Sequence, residues 1–215
     1  MSKQIKLHIF IQWLLAPIVF IVIGLGWKYY WLGFIVPFVM FIGMLSPLLN
    51  RGRYVCGNFC PRGAFFDRII RSLSQQKKIP HFLKNPIFRW LVFGALFGFF
   101  IVQVIRFPFT AENLGHIFWL MCTVTTAIGV VLGVFFSHRS WCAFCPIGTF
   151  VSACGRNAKS LVIDNKACVS CELCEKVCPL NLPILQYKES GILADKDCLQ
   201  CLECVAKCPK GAVKP

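Results

Sequence analysis

Acidic side chains are scarce in this 215-residue chain: nine Asp and Glu stand against 23 Lys and Arg, for a formal net charge of +14. Seven of the nine acids lie after residue 155, so the first 155 residues set only Asp67 and Glu112 against fourteen bases. Histidine is scarcer still, with four, and no Cys-x-x-Cys-His run occurs, which excludes attachment of a c-type haem. His8, His116 and His138 fall at the ends of apolar stretches and His81 in a basic loop, which argues against a b-type haem between helices. There is no glycine-rich nucleotide fingerprint, no flavin motif and no Ser/His/Asp constellation, so neither dinucleotide chemistry nor hydrolysis is expected. No ionisable residue lies deep in an apolar stretch, which argues against ion pumping by this chain alone. No His/Met-rich tract is present to carry a metal for delivery.

Apolar residues, by contrast, are abundant: 57% of the chain is hydrophobic and the mean hydropathy is +0.65, too apolar for an ordinary soluble protein. The excess lies before residue 137. Stretches from Ile9 to about Gly26, Tyr30 to Leu49, Phe88 to Phe107 and Ile117 to Phe136 are each long enough to cross a ~30 Å hydrocarbon core as a helix. No small-x-small cleavage pattern follows the first; Trp27-Lys28-Tyr29-Tyr30-Trp31 reads instead as an interfacial aromatic belt, so the segment is expected to remain as an anchor. Pro17 and Pro37 predict kinks, and Pro108 to His116 is expected to form the outer turn. Thr123, Thr125, Thr126 and Gly129 give the fourth span a small, weakly polar face for close helix packing.

Nine of the bases cluster between Arg51 and Arg89. A basic loop between apolar spans is what the positive-inside rule places in the cytoplasm, so both chain ends and the region after residue 155 are expected there, at the inner membrane. Nucleic-acid binding is not needed to explain the charge. Within this loop, Phe65 to Leu73 alternates apolar and basic residues at helical spacing, which predicts a helix lying along the bilayer surface.

The C-terminal stretch reads Cys168-x2-Cys171-x2-Cys174-x3-Cys178-Pro179 and, thirty positions on, Cys198-x2-Cys201-x2-Cys204-x3-Cys208-Pro209. Two-residue gaps let one tight loop point three sulfurs at a single cluster, and in this spacing the fourth sulfur comes from the other run. The expected ligand sets are therefore Cys168, Cys171, Cys174 with Cys208, and Cys198, Cys201, Cys204 with Cys178. Structural zinc more often uses paired knuckles than this doubled three-plus-one pattern. The stretch resembles the bacterial two-cluster ferredoxins, a likeness that implies two [4Fe-4S] clusters relaying single electrons, in a small α+β fold. Such thiols require a reducing compartment.

A repeat lies outside that region. Cys56-Gly-Asn-Phe59-Cys60-Pro61-Arg-Gly63-Ala-Phe65 follows the second span and Cys142-Ala-Phe144-Cys145-Pro146-Ile-Gly148-Thr-Phe150 follows the fourth. A duplicated hairpin of one orientation predicts two halves related by an axis along the membrane normal, with the Cys-Pro loops facing each other. Cys56, Cys60, Cys142 and Cys145 would then meet, with Arg53, Arg62 and Arg139 offsetting negative charge. Three readings fit them: a third Fe-S cluster, a zinc site, or unmetallated thiols packed as small apolar groups. Cys122 and Cys154 are expected to be free thiols, the alternative for Cys154 being substitution into the neighbouring site.

Two Cys-Pro motifs after paired helices, followed by a two-cluster ferredoxin, resemble the NapH-type membrane ferredoxins and the membrane and C-terminal part of the NosR-type proteins. The second motif departs from the pattern, with two residues between its cysteines instead of three. The organisation expected is an α-helical membrane domain of four transmembrane helices in two repeated hairpins over residues 1–155, with loops at 51–66 and 139–150, followed by the ferredoxin domain over 156–215. The resemblance implies a non-catalytic electron-transfer subunit in the bilayer, between a cytoplasmic or quinone-linked donor and a membrane oxidoreductase partner. A second class is an accessory protein supplying electrons for cofactor assembly in another enzyme. For exchange with the quinone pool, the candidate groups are His116 with Glu112 at the outer face and His8 or His138 with Arg139 at the inner face.

Overall fold

The computed structural model describes residues 3–49, 52–155 and 161–214. Arg51, at the start of the first expected loop, and residues 156–160, at the expected domain boundary, lie outside the described residues. The helices are α1 (Lys3–Leu25), α2 (Ile35–Leu45), α3 (Tyr54–Asn58), α4 (Pro61–Phe65), α5 (Arg71–Leu73), α6 (His81–Lys84), α7 (Pro86–Arg106), α8 (Ala111–Phe135), α9 (Ser140–Phe144), α10 (Pro146–Cys154), α11 (Leu173–Val177) and α12 (Glu203–Lys207). Four segments are long and apolar enough to cross a membrane: Leu7–Leu25, Tyr30–Leu48, Pro86–Arg106 and Ala111–Phe135. Their outward surfaces are apolar, with Phe10, Phe38, Leu91 and Ile105 all exposed, as expected of helices solvated by lipid.

One expected boundary shifts markedly, for a local reason. The fourth long helix starts at Ala111 because Thr110 caps it, its side chain accepting from the Asn113 N–H at 3.4 Å, and Glu112 in the first turn suits the helix dipole. Glu112 and His116 are therefore helical, and the turn shortens. The second segment is composite, a 3-10 turn at Tyr30–Phe34, then α2, then a 3-10 turn at Ser46–Leu49. Pro37 sits in the first turn of α2, where its missing N–H costs nothing, while Pro17 lies inside α1, which continues through it.

The surface helix expected at Phe65–Leu73 is a core element instead. Phe65, Phe66, Asp67 and Ile70 are buried, and residues Phe66–Ile70 form a π-turn between α4 and α5. Its half-buried basic residues find partners that the linear pattern does not reveal, Arg68 at Gln12 and Arg71 at Glu203.

Both halves pack by one rule. α1 lies on α4 and α7 on α10, while α2 crosses to α10 and α8 crosses to the Phe66–Ile70 turn. Close approach is set by glycine where backbone meets backbone: a Cβ at Gly33 would collide with the carbonyl of Gly115, and one at Gly115 with the carbonyl of Tyr30. Thr125, Thr126 and Gly129 are buried, so the small face expected of the fourth helix is used.

The C-terminal region holds three short strands, β1 (Leu161–Ile163), β2 (Ile192–Leu193) and β3 (Val213–Lys214), in the order β2-β1-β3, both pairings antiparallel. The register sets Leu161 opposite Leu193 and Ile163 opposite Val213. One buried cluster runs from Val19, Phe66 and Trp141 through Leu180 and Leu199 to Leu193 and Val213. The C-terminal region is thereby packed onto the ends of the long helices.

Candidate iron-sulfur sites

Each Cys-x2-Cys-x2-Cys run winds through the same unusual backbone. The residues flanking the middle cysteine are left-handed in both runs: Ser170 (φ 54°) and Glu172 (φ 61°) in one, Gln200 (φ 51°) and Leu202 (φ 61°) in the other. Non-glycine residues rarely adopt this conformation, and each such position costs on the order of 1–2 kcal/mol. The strain curls the loop and aims backbone N–H groups at sulfur. Gln200 donates toward Cys198, Glu203 toward Cys201 and Val205 toward Cys204, while Leu180 and Leu182 donate toward Cys178. Cys208 receives N–H groups from residues 210–213, with Ala212 N to Sγ at 3.3 Å.

The eight thiols divide between two pockets. One is lined by Cys178, Cys198, Cys201 and Cys204 under an apolar cover of Leu161, Leu180, Ile184, Leu193 and Leu199. The other is lined by Cys168, Cys171, Cys174 and Cys208. Burial pushes the Cys198 thiol up to about 11 and the Cys204 thiol up to about 12. Thiolates in such surroundings need a positive centre to stay ionised. In the second pocket, Cys171 is exposed, and slight burial of Cys208 is outweighed by its four backbone N–H groups, which lower its pKa.

The Cys-Pro loops also converge. Burial raises the Cys56 thiol to about 12, with Arg53 opposing the rise and the charges of Cys60, Cys145 and Cys142 adding to it. Cys60 is raised likewise by burial, partly offset by the N–H of Gly63. Each proline starts a helix at its first position, Pro61 in α4 and Pro146 in α10, which turns the chain away after the cysteine.

Two arginines, each three residues before its loop's first cysteine, cross between the halves. Arg53 donates to the carbonyl of Cys142, and a Cβ at Gly148 would run into its guanidinium. Arg139 donates to the carbonyls of Cys56 (3.0 Å) and Gly57 (3.3 Å), and a Cβ at Gly63 would run into its guanidinium. Arg139 Nη1 also lies 3.8 Å from Cys142 Sγ. Gly63 and Gly148 are thus the repeat's matching glycines because each makes room for the other half's arginine. Arg62 serves differently, bonding Thr125 at 2.7 Å and covering the ring of Trp141.

Each crossing arginine has an acid behind it. Arg139 forms a two-point ion pair with Asp67, which also meets His138 Nε2 at 3.4 Å and accepts from Gln12 at 2.6 Å. Burial opposes ionisation of Asp67, but the charge and hydrogen bonds of Arg139, with His138 behind them, hold its carboxyl well below the usual carboxylate range. Arg53 pairs with Asp197 at 3.0 Å, and Asp197 also accepts from Arg89 (2.8 and 2.9 Å) and Ser152 (2.6 Å). Burial would raise that carboxyl; Arg53 and Arg89 hold it at about 2.

Asp67, Gln12, Arg89 and Asp197 are absent from the sequence-derived candidates. The signal for two of these contacts was present as the Arg-x-x-Cys start shared by both repeats. Of the quinone candidates, His138 and His8 are buried at the Cys-Pro end near Asp67, whereas Glu112 is exposed and His116 half-buried on α8. Among the described residues neither Glu112 nor His116 makes a side-chain hydrogen bond or ion pair.

Two family models match the chain: a 4Fe-4S binding domain over residues 32–80 and 116–156, which contain the two Cys-Pro loops, and a 4Fe-4S dicluster domain over 167–213. An uncharacterised protein of Methanocaldococcus jannaschii is 26% identical over 196 residues, covering 84% of this chain and 75% of that protein. The ferredoxin-type protein NapH of Haemophilus influenzae is 27% identical over 175 residues, 74% of this chain and 60% of that protein. The NAD(P)H-quinone oxidoreductase subunit I of Gloeobacter violaceus is 36% identical over 52 residues, 20% of this chain and 25% of that protein. No solved structure matches. The two 4Fe-4S family regions on one chain, a NapH relative matched over 74% of it and four apolar helices together fit a NapH-type membrane ferredoxin.

Proposed function

We propose that this chain is a membrane-anchored electron-transfer subunit whose ferredoxin domain, residues 156–215, holds two [4Fe-4S] clusters and whose Cys-Pro loops hold a third. The observation that carries the reading is the division of eight cysteines into two four-thiol pockets along the crossed sets, Cys168, Cys171, Cys174, Cys208 and Cys178, Cys198, Cys201, Cys204. Four thiols spread around each cavity suit a polynuclear cluster better than zinc. A cluster in each pocket supplies reversible one-electron chemistry.

The chain's own residues supply the rest. The left-handed loop residues hold the amides on sulfur, which favours the thiolate and raises a reduction potential. The leucine cover of the inner pocket excludes water. For the third site, Cys56, Cys60, Cys142 and Cys145 are the ligands, and Arg53 and Arg139 tie the two loops together and lie beside negative charge. We place this assembly on the cytoplasmic side of the inner membrane, since Arg53, Arg62, Arg68, Arg71, Lys77, Lys78, Lys84 and Arg89 all fall on the Cys-Pro side. Electrons pass between a cytoplasmic or quinone-linked donor and a membrane oxidoreductase partner. Exchange with quinone fits the inner end, where His8 Nδ1 is buried without a hydrogen-bond partner near Asp67 and His138.

Iron and acid-labile sulfide per chain test this on anaerobically purified protein and a Cys60→Ser/Cys145→Ser variant. The three-cluster reading requires about twelve irons, falling to about eight in the variant. Eight in both would leave two ferredoxin clusters and purely structural loops.

A further inference from the structure

The two Cys-Pro loops differ in length, and the difference falls where the C-terminal region touches down. Aligning Phe59 with Phe144 leaves Gly57 and Asn58 of the first loop against the single Ala143 of the second. Gly57 lies directly beneath the carbonyl of Leu199, so closely that a Cβ there would collide with it. Asn58 is anchored to the carbonyl of Tyr54 at 2.9 Å and reaches the carbonyl of Gln200 at 3.5 Å. Leu199 and Gln200 are the two residues between Cys198 and Cys201.

The flanks of that contact are ionic. Asp197, next to Cys198, is gripped by Arg53 and Arg89 from the helical part, and Arg53 also holds the Cys142 carbonyl. Glu203, next to Cys204, pairs with Arg71 of α5 at 2.8 Å. The other cysteine run has the opposite setting: Val169 and Cys171 are exposed, and the Ser170 hydroxyl is bonded by Lys188 of the same region.

We propose that the extra residue of the first Cys-Pro loop is a docking seat, which fixes the Cys178, Cys198, Cys201, Cys204 pocket against the Cys-Pro loops and leaves the Cys168, Cys171, Cys174, Cys208 pocket facing outward. Gly57, Asn58, Asp197 and Arg71 are positioning residues in this arrangement. The inference deepens the electron-transfer reading and rests on it for the meaning of the pockets, but the docking itself is measurable without cluster activity.

The test is amide hydrogen exchange on the full-length, iron-loaded protein in detergent, with iron counted on each sample. Gly57→Ala and Arg71→Ala are compared with Gly98→Ala, where a Cβ meets nothing within 4 Å. In the unaltered protein residues 197–204 should exchange more slowly than residues 168–174. Gly57→Ala should speed exchange at both 54–60 and 197–204 by about tenfold or more, Arg71→Ala should do so at 197–204, and 168–174 should not change. Unchanged exchange at 197–204 in both variants, or deprotection of 168–174 in its place, overturns the proposal. Absence of iron sensitive to Cys60→Ser would strike the three-cluster reading alone, with the exchange data still deciding the seat.

Discussion

Asp67 and Arg139 meet in a two-point ion pair, Nε to Oδ1 at 2.7 Å and Nη2 to Oδ2 at 2.6 Å, with side chains 9% and 1% exposed. One half of the repeat contributes the acid and the other the base. Arg139 also holds the carbonyls of Cys56 and Gly57, so the pair locks the first Cys-Pro loop to the second.

Arg139→Ala should therefore be severe, since it strands a buried carboxylate and frees a loop. A loss of about 3–5 kcal/mol in denaturant unfolding is expected, with partial recovery in Arg139→Ala/Asp67→Asn because the stranded charge is removed. A double variant no more stable than the single one would show that the damage comes from the loop alone.

The pH dependence of this pair has a definite sign. The Asp67 carboxyl is held well below its ordinary value of 3.8, so its contribution is fully present above about pH 4 and is lost only at lower pH. The stability gap between His138→Gln and the His138→Gln/Asp67→Asn double variant should be constant from pH 8 to pH 5. Unfolding midpoints across that range check it, and a gap that closes by pH 5 would contradict the strongly paired state.

Gly63 and Gly148 should respond alike to substitution. A methyl at either runs into a buried guanidinium, Arg139 or Arg53, and each Ala variant should cost about 1–3 kcal/mol. Gly94→Ala, on a helix face where a Cβ meets nothing within 4 Å, should be tolerated. Equal tolerance at all three positions would mean that the crossing arginines do not constrain the loops.

The crossed ligand sets predict which cysteines fail together. Cys208→Ser should remove the same electron paramagnetic resonance signal as Cys171→Ser, and Cys178→Ser the same signal as Cys201→Ser, each with loss of about four irons. If Cys178→Ser matched Cys171→Ser instead, each run would supply its own fourth ligand.

The sequence by itself determined what is local or periodic. Four apolar stretches are legible because a helix crossing hydrocarbon must be apolar over its whole length, whatever its neighbours. The eight C-terminal cysteines are legible because a short loop can wrap one cluster only at fixed spacing, and the repeat of Cys60-Pro61 and Cys145-Pro146 because the same turn is built twice. Tertiary structure alone decided the partners of Asp67, Arg53, Arg139 and Asp197, since a buried ion pair depends on elements 72 or 144 residues apart meeting, and no periodicity encodes that. The Phe65–Leu73 segment makes the point sharply. Its amphipathic pattern fits a bilayer surface as well as it fits a protein interior lined with hydrogen-bonding partners, and only Gln12, His138 and Arg139, brought there by packing, turn its polar face inward.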